Sequence, residues 1–222
     1  MDLNTQVKSR ERVSDHGEVF TSDREVNAML DLVKQETERI DSRFLEPACG
    51  TGNFLIEILR RKLNVVCSRY KINQIEYEKY AFIAVSSVYG IDLLEDNVIE
   101  CRQRLFDYFD SDYSKLYKKK CNESCRKSIQ FLLSKNIICG DALTLKTNMG
   151  EPIIFSEWSL VSENLVKRRD FSFSEILDGH NKQTSLSFFN DGAEYDKENK
   201  AFIPAPIAEF PLTDYNEVSN YE

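Results

Sequence analysis

The sequence predicts an α/β protein with a mostly parallel sheet and helices on both faces, and three observations predict it. Strand-like and helix-like segments alternate from about residue 44 to residue 158. Three successive strand-like runs each finish in an acid, at Glu46, Asp92 and Asp141. A turn containing Gly50 and Gly52 sits between the first run and the helix that follows it, where missing side chains permit a tight bend.

Taken in order, residues 1–15 form a polar arm without periodicity. Residues 16–160 carry the alternating pattern, and 161–222 read as a hairpin followed by an extended arm. Ser22 and Glu25 make a capping box, and Val26, Met29, Leu30 and Val33 recur on one face, so a helix is predicted from about 23 to 39. "RFLEP" is the first strand, and "GTGNFLIEILRRKL" opens a helix directly after the glycines. "QIEYEKYAFIAVSS" predicts another helix and "VYGIDL" the second strand. Helix is predicted across "EDNVIECRQRLFDYF" and most of "DYSKLYKKKCNESCRKSIQFLLSK". "NIICGDAL" is the third strand, and "EPIIFSEW" a fourth after a turn at Asn148 to Gly150.

At 222 residues the chain suits one domain with its own core. It has no apolar run of membrane-spanning length, and its first thirty residues lack a signal-peptide core, so a cytoplasmic protein without a membrane partner is expected. The six cysteines are scattered; Cys121 and Cys125 have helical spacing, and only His16 and His180 could join them, so reduced thiols and no metal are expected. A net charge of −8 argues against a self-sufficient nucleic-acid binder. Two basic clusters, Lys118–Lys120 with Arg126 and Lys127, and Lys167–Arg169, are candidate patches for DNA, reached through a partner subunit.

In open α/β sheets ligands sit beyond the carboxyl ends of the strands, which is where the three acids fall. The glycine turn departs from the dinucleotide pattern, which wants a third small residue near Leu55 and an acid about twenty residues onward. It also lacks the Gly-Lys-Ser/Thr of a phosphate-gripping loop. A nucleoside without a phosphate requirement remains, its hydroxyls and amine donating to strand-end carboxylates. S-adenosylmethionine fits: its ribose to Asp92, its exocyclic amine to Asp141, its cationic end compatible with Glu46.

"FLEPACGTGNFL" resembles motif I of the amino-methylating DNA methyltransferases, an acid followed by Pro-Ala-Cys-Gly-Thr-Gly. "GEVFTSDREVNAML" is similar to their N-terminal segment, "VYGIDLLEDNVIECRQRL" to motif II and "NIICGDAL" to motif III. The order resembles that of N6-adenine methyltransferases of type I and related restriction-modification systems, over about residues 16 to 158. The resemblance implies a Rossmann-like fold dependent on S-adenosyl-L-methionine. It implies Phe20 and Thr21 beside the methionine part, and Glu46, Ala48, Gly50, Gly52 and Phe54 around the donor. Asp92 would hold the ribose, and Leu93, Asp141 and Ala142 would border the adenine. For Asp92 and Asp141 the plainer alternative is a helix cap, and for Phe54 and Leu93 simple core packing.

One motif of that family is missing. Its Asn/Asp-Pro-Pro-aromatic element, which accepts the target amine and stacks on the flipped base, has no counterpart, since the chain contains no Pro-Pro dipeptide. The corresponding place reads "IIFSEWSL", so Ser156, Glu157 and Trp158 are the candidate substitutes. The alternative is a strand packing its hydrophobic members in a hairpin with "NLVKRRDFSF". About sixty residues follow position 160, too few for the rest of such a sheet plus a DNA-reading domain, so the fold is expected to be incomplete there. The arm could wrap its own domain or join a homo- or hetero-oligomer. The function expected is a methyltransferase-like protein needing a partner chain for base methylation. A catalytically inactive accessory or regulatory subunit, or an enzyme acting on a non-DNA substrate, is the alternative.

Overall fold

A computed structural model describes Arg12, Ser14 and residues 21–181, 194–196, 201–203 and 205–220. The chain is α/β, and its elements follow from local signals. Helix α1 (Asp23–Asp31) starts at Ser22, whose side chain accepts the Glu25 N–H while Glu25 reaches back to the Ser22 backbone. The predicted helix to 39 is broken. Val33 leaves the helical region, and the four-residue α2 (Lys34–Thr37) follows it. Arg61 clamps the two pieces, meeting Asn27 Oδ1 at 3.0 Å, Asp31 at 2.8 Å and Thr37 Oγ1 at 3.4 Å.

Strand β1 (Phe44–Glu46) leads through the glycine turn to α3 (Asn53–Tyr70), which turns back as α4 (Gln74–Ser86) into β2 (Val88–Asp92). Helix α5 (Glu95–Tyr117) and α6 (Glu123–Asn136) repeat the excursion and deliver β3 (Ile137–Asp141). The continuous helix read across the lysines is interrupted: Lys118 has φ 54°, a short 3₁₀ turn spans Lys118–Lys120, and Asn122 caps α6 by accepting the Ser124 N–H.

Strands β1, β2 and β3 are parallel neighbours, with Leu45 opposite Tyr89 and Ile91 opposite Ile138. The two-residue β4 (Lys146–Thr147) closes the far edge antiparallel to β3. All three parallel strands end on the acids that the sequence singles out, so Glu46, Asp92 and Asp141 share one rim.

Helices were expected on both faces, and the layers are arranged differently. Val88 and Ile137 belong to the large core shared with α3–α6, whereas Tyr89, Ile91 and Ile138 pack with Ile153, Phe155 and Phe173. Successive strand residues point to opposite faces, so four helices cover one face and a hairpin with the start of α7 (Phe173–Asn181) covers the other. That hairpin is β5 (Ile154–Ser162) and β6 (Leu165–Ser172), paired antiparallel from Ile154–Ser172 to Ser162–Leu165. The fourth strand therefore does not extend the parallel sheet, and a boundary at 160 cuts through the hairpin.

The C-terminal arm wraps its own domain. Two short strands, β9 (Ala208–Glu209) and β10 (Thr213–Asp214), pair with β6, and Tyr215 and Val218 are buried in the main core. Strands β7 (Glu194–Asp196) and β8 (Ala201–Ile203) form a separate ribbon. Among the described residues, no helix is long and apolar enough to cross a membrane.

Candidate functional site

The glycine turn is held by packing and by one carboxylate. Gly50 and Gly52 have φ of 53° and 92°, values that a side chain disfavours. A Cβ at Gly52 would lie 2.6 Å from Cys101 Sγ, so this glycine lets α3 close against α5 and does not line the cleft. Gly50 donates its N–H to Asp92 Oδ2 at 2.8 Å. The other oxygen of Asp92 accepts the Leu94 N–H at 2.9 Å and Asn97 Nδ2 at 3.2 Å. Asp92 thus joins the loop after β1 to the first turn of α5. With roughly four lone-pair positions on a carboxylate, one remains on Oδ2 for an outside donor.

The strand ends enclose a cleft of about 590 Å³. Thr21, Glu46, Ala48, Gly50, Phe54, Asp92, Leu93, Asp141 and Ala142, all predicted from the sequence, line it together. Phe20 lies outside the described residues, as does His16. Leu93 is 53% exposed, so it is rim and not core. Asp141 accepts the Leu143 N–H at 2.8 Å, and this bond holds its carboxyl below the usual range. Both acids stand on the rim and each accepts the N–H two residues on, but neither is the helix cap of the alternative reading: α5 is capped at Leu94 without a side-chain bond, and a turn follows Asp141.

Among the lining residues that escape the sequence reading are two amides, Asn53 and Asn97. Asn53 Nδ2 donates to Thr21 O at 3.0 Å, drawing the segment before α1 across the opening. Its Oδ1 receives Arg104, which also reaches Thr51 O at 2.6 Å and Thr51 Oγ1 at 2.8 Å. Asn97 meets Arg12, which pairs with Asp96. An amide in the first turn of a helix after a strand end was the available signal for both.

The cleft wall holds three carboxylates and, among the described residues, no lysine or arginine. None of the three acids makes an ion pair among the described residues. Cys49 is buried beneath the turn, and the neighbouring Cys101 thiol together with burial pushes its own thiol far up. All six cysteines are free.

Ser156, Glu157 and Trp158 are not at this cleft, which corrects the assignment of catalytic roles to them. Ser156 is 2% exposed; it donates to Asp170 at 2.7 Å and accepts from Arg168 Nε at 3.2 Å. Glu157 is bound by Arg43 and by Arg169. Trp158 packs edge-on against Phe82 and Phe131, with the Arg168 guanidinium over its ring. The hairpin is the one the alternative reading held, with alternation turning Ser156 and Trp158 to one side and Glu157 to the other, but Ile154 and Leu160, expected to pack, are exposed.

The same contacts engage each member of one basic cluster. Lys167 pairs with Glu209, the buried Arg168 with Asp170, and Arg169 with Glu157, so Lys167–Arg169 is no free patch for DNA. Lys118, Lys119 and Lys120 are exposed and unpaired among the described residues, while Arg126 is bound by Asp110 and Glu123. They lie at the far end of the helical excursions, beside Lys71, whose carbonyl accepts from Tyr117. An 18-residue α3 places that end about 27 Å from the glycine turn.

A larger cavity, about 650 Å³, opens elsewhere, beside Arg39, Tyr70, Tyr80 and Trp158. It contains none of the strand-end acids. Neither a family model, nor a curated protein, nor a solved structure matches this chain.

Proposed function

We propose that the chain binds S-adenosylmethionine at the strand ends, as part of a Rossmann-like methyltransferase fold. In this reading it is a DNA adenine-N6 methyltransferase-like protein of a restriction-modification system, completed by a partner chain. The observation that carries the proposal is the sign of the wall: three carboxylates and no cationic side chain among the described residues. Such a wall repels the phosphates of a dinucleotide or nucleoside triphosphate, and suits a neutral ribose and purine attached to a cationic sulfonium.

The residues divide the task. The remaining acceptor position on Asp92 Oδ2 suits one ribose hydroxyl, and Asp141 beside Ala142 suits an exocyclic amine. Ala48 and Gly50 form a floor with little side chain, and Glu46 faces the cationic end. The bound donor supplies an electrophilic methyl group. The chain itself contributes orientation, and Thr21, held by Asn53, narrows access for water.

Titration calorimetry with S-adenosylhomocysteine tests the reading. Measurable heat is expected, and Asp92→Ala is expected to weaken binding by about 1–3 kcal/mol, the scale of a lost buried hydrogen bond. Absence of heat at millimolar ligand refutes it. A second reading, a donor-binding accessory subunit without turnover, is favoured by the burial of Ser156, Glu157 and Trp158 in the hairpin. Both readings expect that the chain alone leaves DNA unlabelled by a radioactive methyl donor. Labelling by the isolated chain would remove the accessory reading and the need for a partner.

A further inference from the structure

Two strand edges are open, and they face one groove. β1 ends its sheet and β5 ends the hairpin sheet, with no strand on the outer side of either among the described residues. Phe44 donates its N–H to Ser87 O, toward β2; in a parallel ladder the next residue turns its N–H and C=O the other way, so the peptide groups of Leu45 face outward. On β5, Ser156 turns its carbonyl away from β6 and accepts the Tyr89 hydroxyl at 3.2 Å. Between the two edges lies a cavity of about 390 Å³. Its floor is the rings of Tyr89, Phe155, Phe171 and Phe173. Leu45, 41% exposed, stands at its side.

The rim has an unbalanced charge. Arg43 and Arg169 share the single carboxylate of Glu157, an excess of one positive charge, and Arg169 Nε and Glu157 Oε2 are both buried without a hydrogen-bond partner. We infer that this groove is the docking site for an extended segment of a partner polypeptide, pairing with Leu45, laying apolar side chains on the rings and bringing a carboxylate to Arg43 and Arg169. Edge pairing gives such a segment its affinity, and the ring floor with the two guanidinium groups gives it selectivity. A second copy of the chain fits less well. Antiparallel self-pairing about Leu45 sets Arg43 opposite Pro47, which has no N–H to offer, and leaves the rim charge unmet. Leu45 at the groove is followed directly by Glu46 of the cleft wall, so a segment docked along β1 would lie next to that cleft. That last consequence rests on the donor-binding reading; the docking itself does not.

The test uses the full chain and a fluorescein-labelled heptapeptide of alternating valine and threonine with a central glutamate. Fluorescence anisotropy is expected to rise on titration, and exchange of the Leu45 amide is expected to slow in the bound state. Replacing the central glutamate by lysine is expected to weaken binding by about tenfold, and Arg43→Glu to reverse that preference. S-adenosylhomocysteine calorimetry on the same sample reports the cleft separately, so failure of one reading is distinguishable from failure of the other. The inference is overturned if no peptide binds at millimolar concentration, if blocking the peptide's alternate amides by N-methylation leaves binding unchanged, or if Leu45 exchange is unaffected. It is equally overturned if sedimentation shows the unliganded chain to be a dimer in which Leu45 is already protected.

Discussion

The acids at the sheet rim and the acids of the hairpin are the same chemical groups put to opposite uses. Glu157 and Asp170 are each met by arginine, and Asp170 also accepts from Ser156. Glu46, Asp92 and Asp141 have backbone or amide donors and no ion pair among the described residues. Burial drives the difference. A carboxylate inside a hairpin needs a counter-charge to be tolerated, whereas one on an open rim keeps its water and its free acceptor capacity. The carboxylates neutralised in pairs hold the hairpin together, while those at the rim stand without cations around one hollow, with acceptor positions to spare.

The strongest way to break this contrast is Arg168→Ala. Arg168 is buried, bidentate to Asp170 and 4.0 Å above the Phe210 ring, so its removal strands a buried charge. A loss of about 3–5 kcal/mol is expected in denaturant unfolding. Loss comparable to a surface substitution would show that the hairpin pairs are not structural. On the rim side, Gly52→Ala should cost about 1–3 kcal/mol, because its Cβ meets Cys101 and its backbone is left-handed. A neutral result by the same unfolding measurement would mean that α3 and α5 can separate at no cost.

The smallest effect concerns a third kind of buried charge. Lys62 is fully buried, and among the described residues it donates to the carbonyls of Arg39, Ile40 and Ser42 and the Ser87 hydroxyl, lies over the Phe44 ring and makes no ion pair. Burial holds its ammonium down at about 7. An unfolded lysine keeps its proton to about 10.4, so between these values the unfolded chain binds more protons and stability rises with pH. The denaturant midpoint of the native chain, compared with Lys62→Met, should gain ground from about pH 7 to about pH 9. Parallel midpoints across that range would show that the carbonyls keep Lys62 charged.

Much of the rim was legible in the sequence because it is local. An acid that ends an apolar run, a Gly-x-Gly before a helix, and a Ser-x-x-Glu cap each lie within a few residues, and each is found where expected. What escaped depends on contacts far apart along the chain. Arg104 finds Thr51 and Asn53 only once α5 lies beside α3. Ser156 is paired by Asp170 and Arg168 only once the hairpin has closed, and until then "SEW" reads as exposed chemistry. The break at Val33 is likewise invisible to helical periodicity, because the clamp on both pieces comes from Arg61.

Asp92 carries a kinetic consequence. Its carboxylate fastens the glycine turn to α5 while the protein folds, so the turn surrenders its mobility before any visitor arrives. If the donor-binding proposal holds, entry should then proceed with little induced rearrangement of the turn itself.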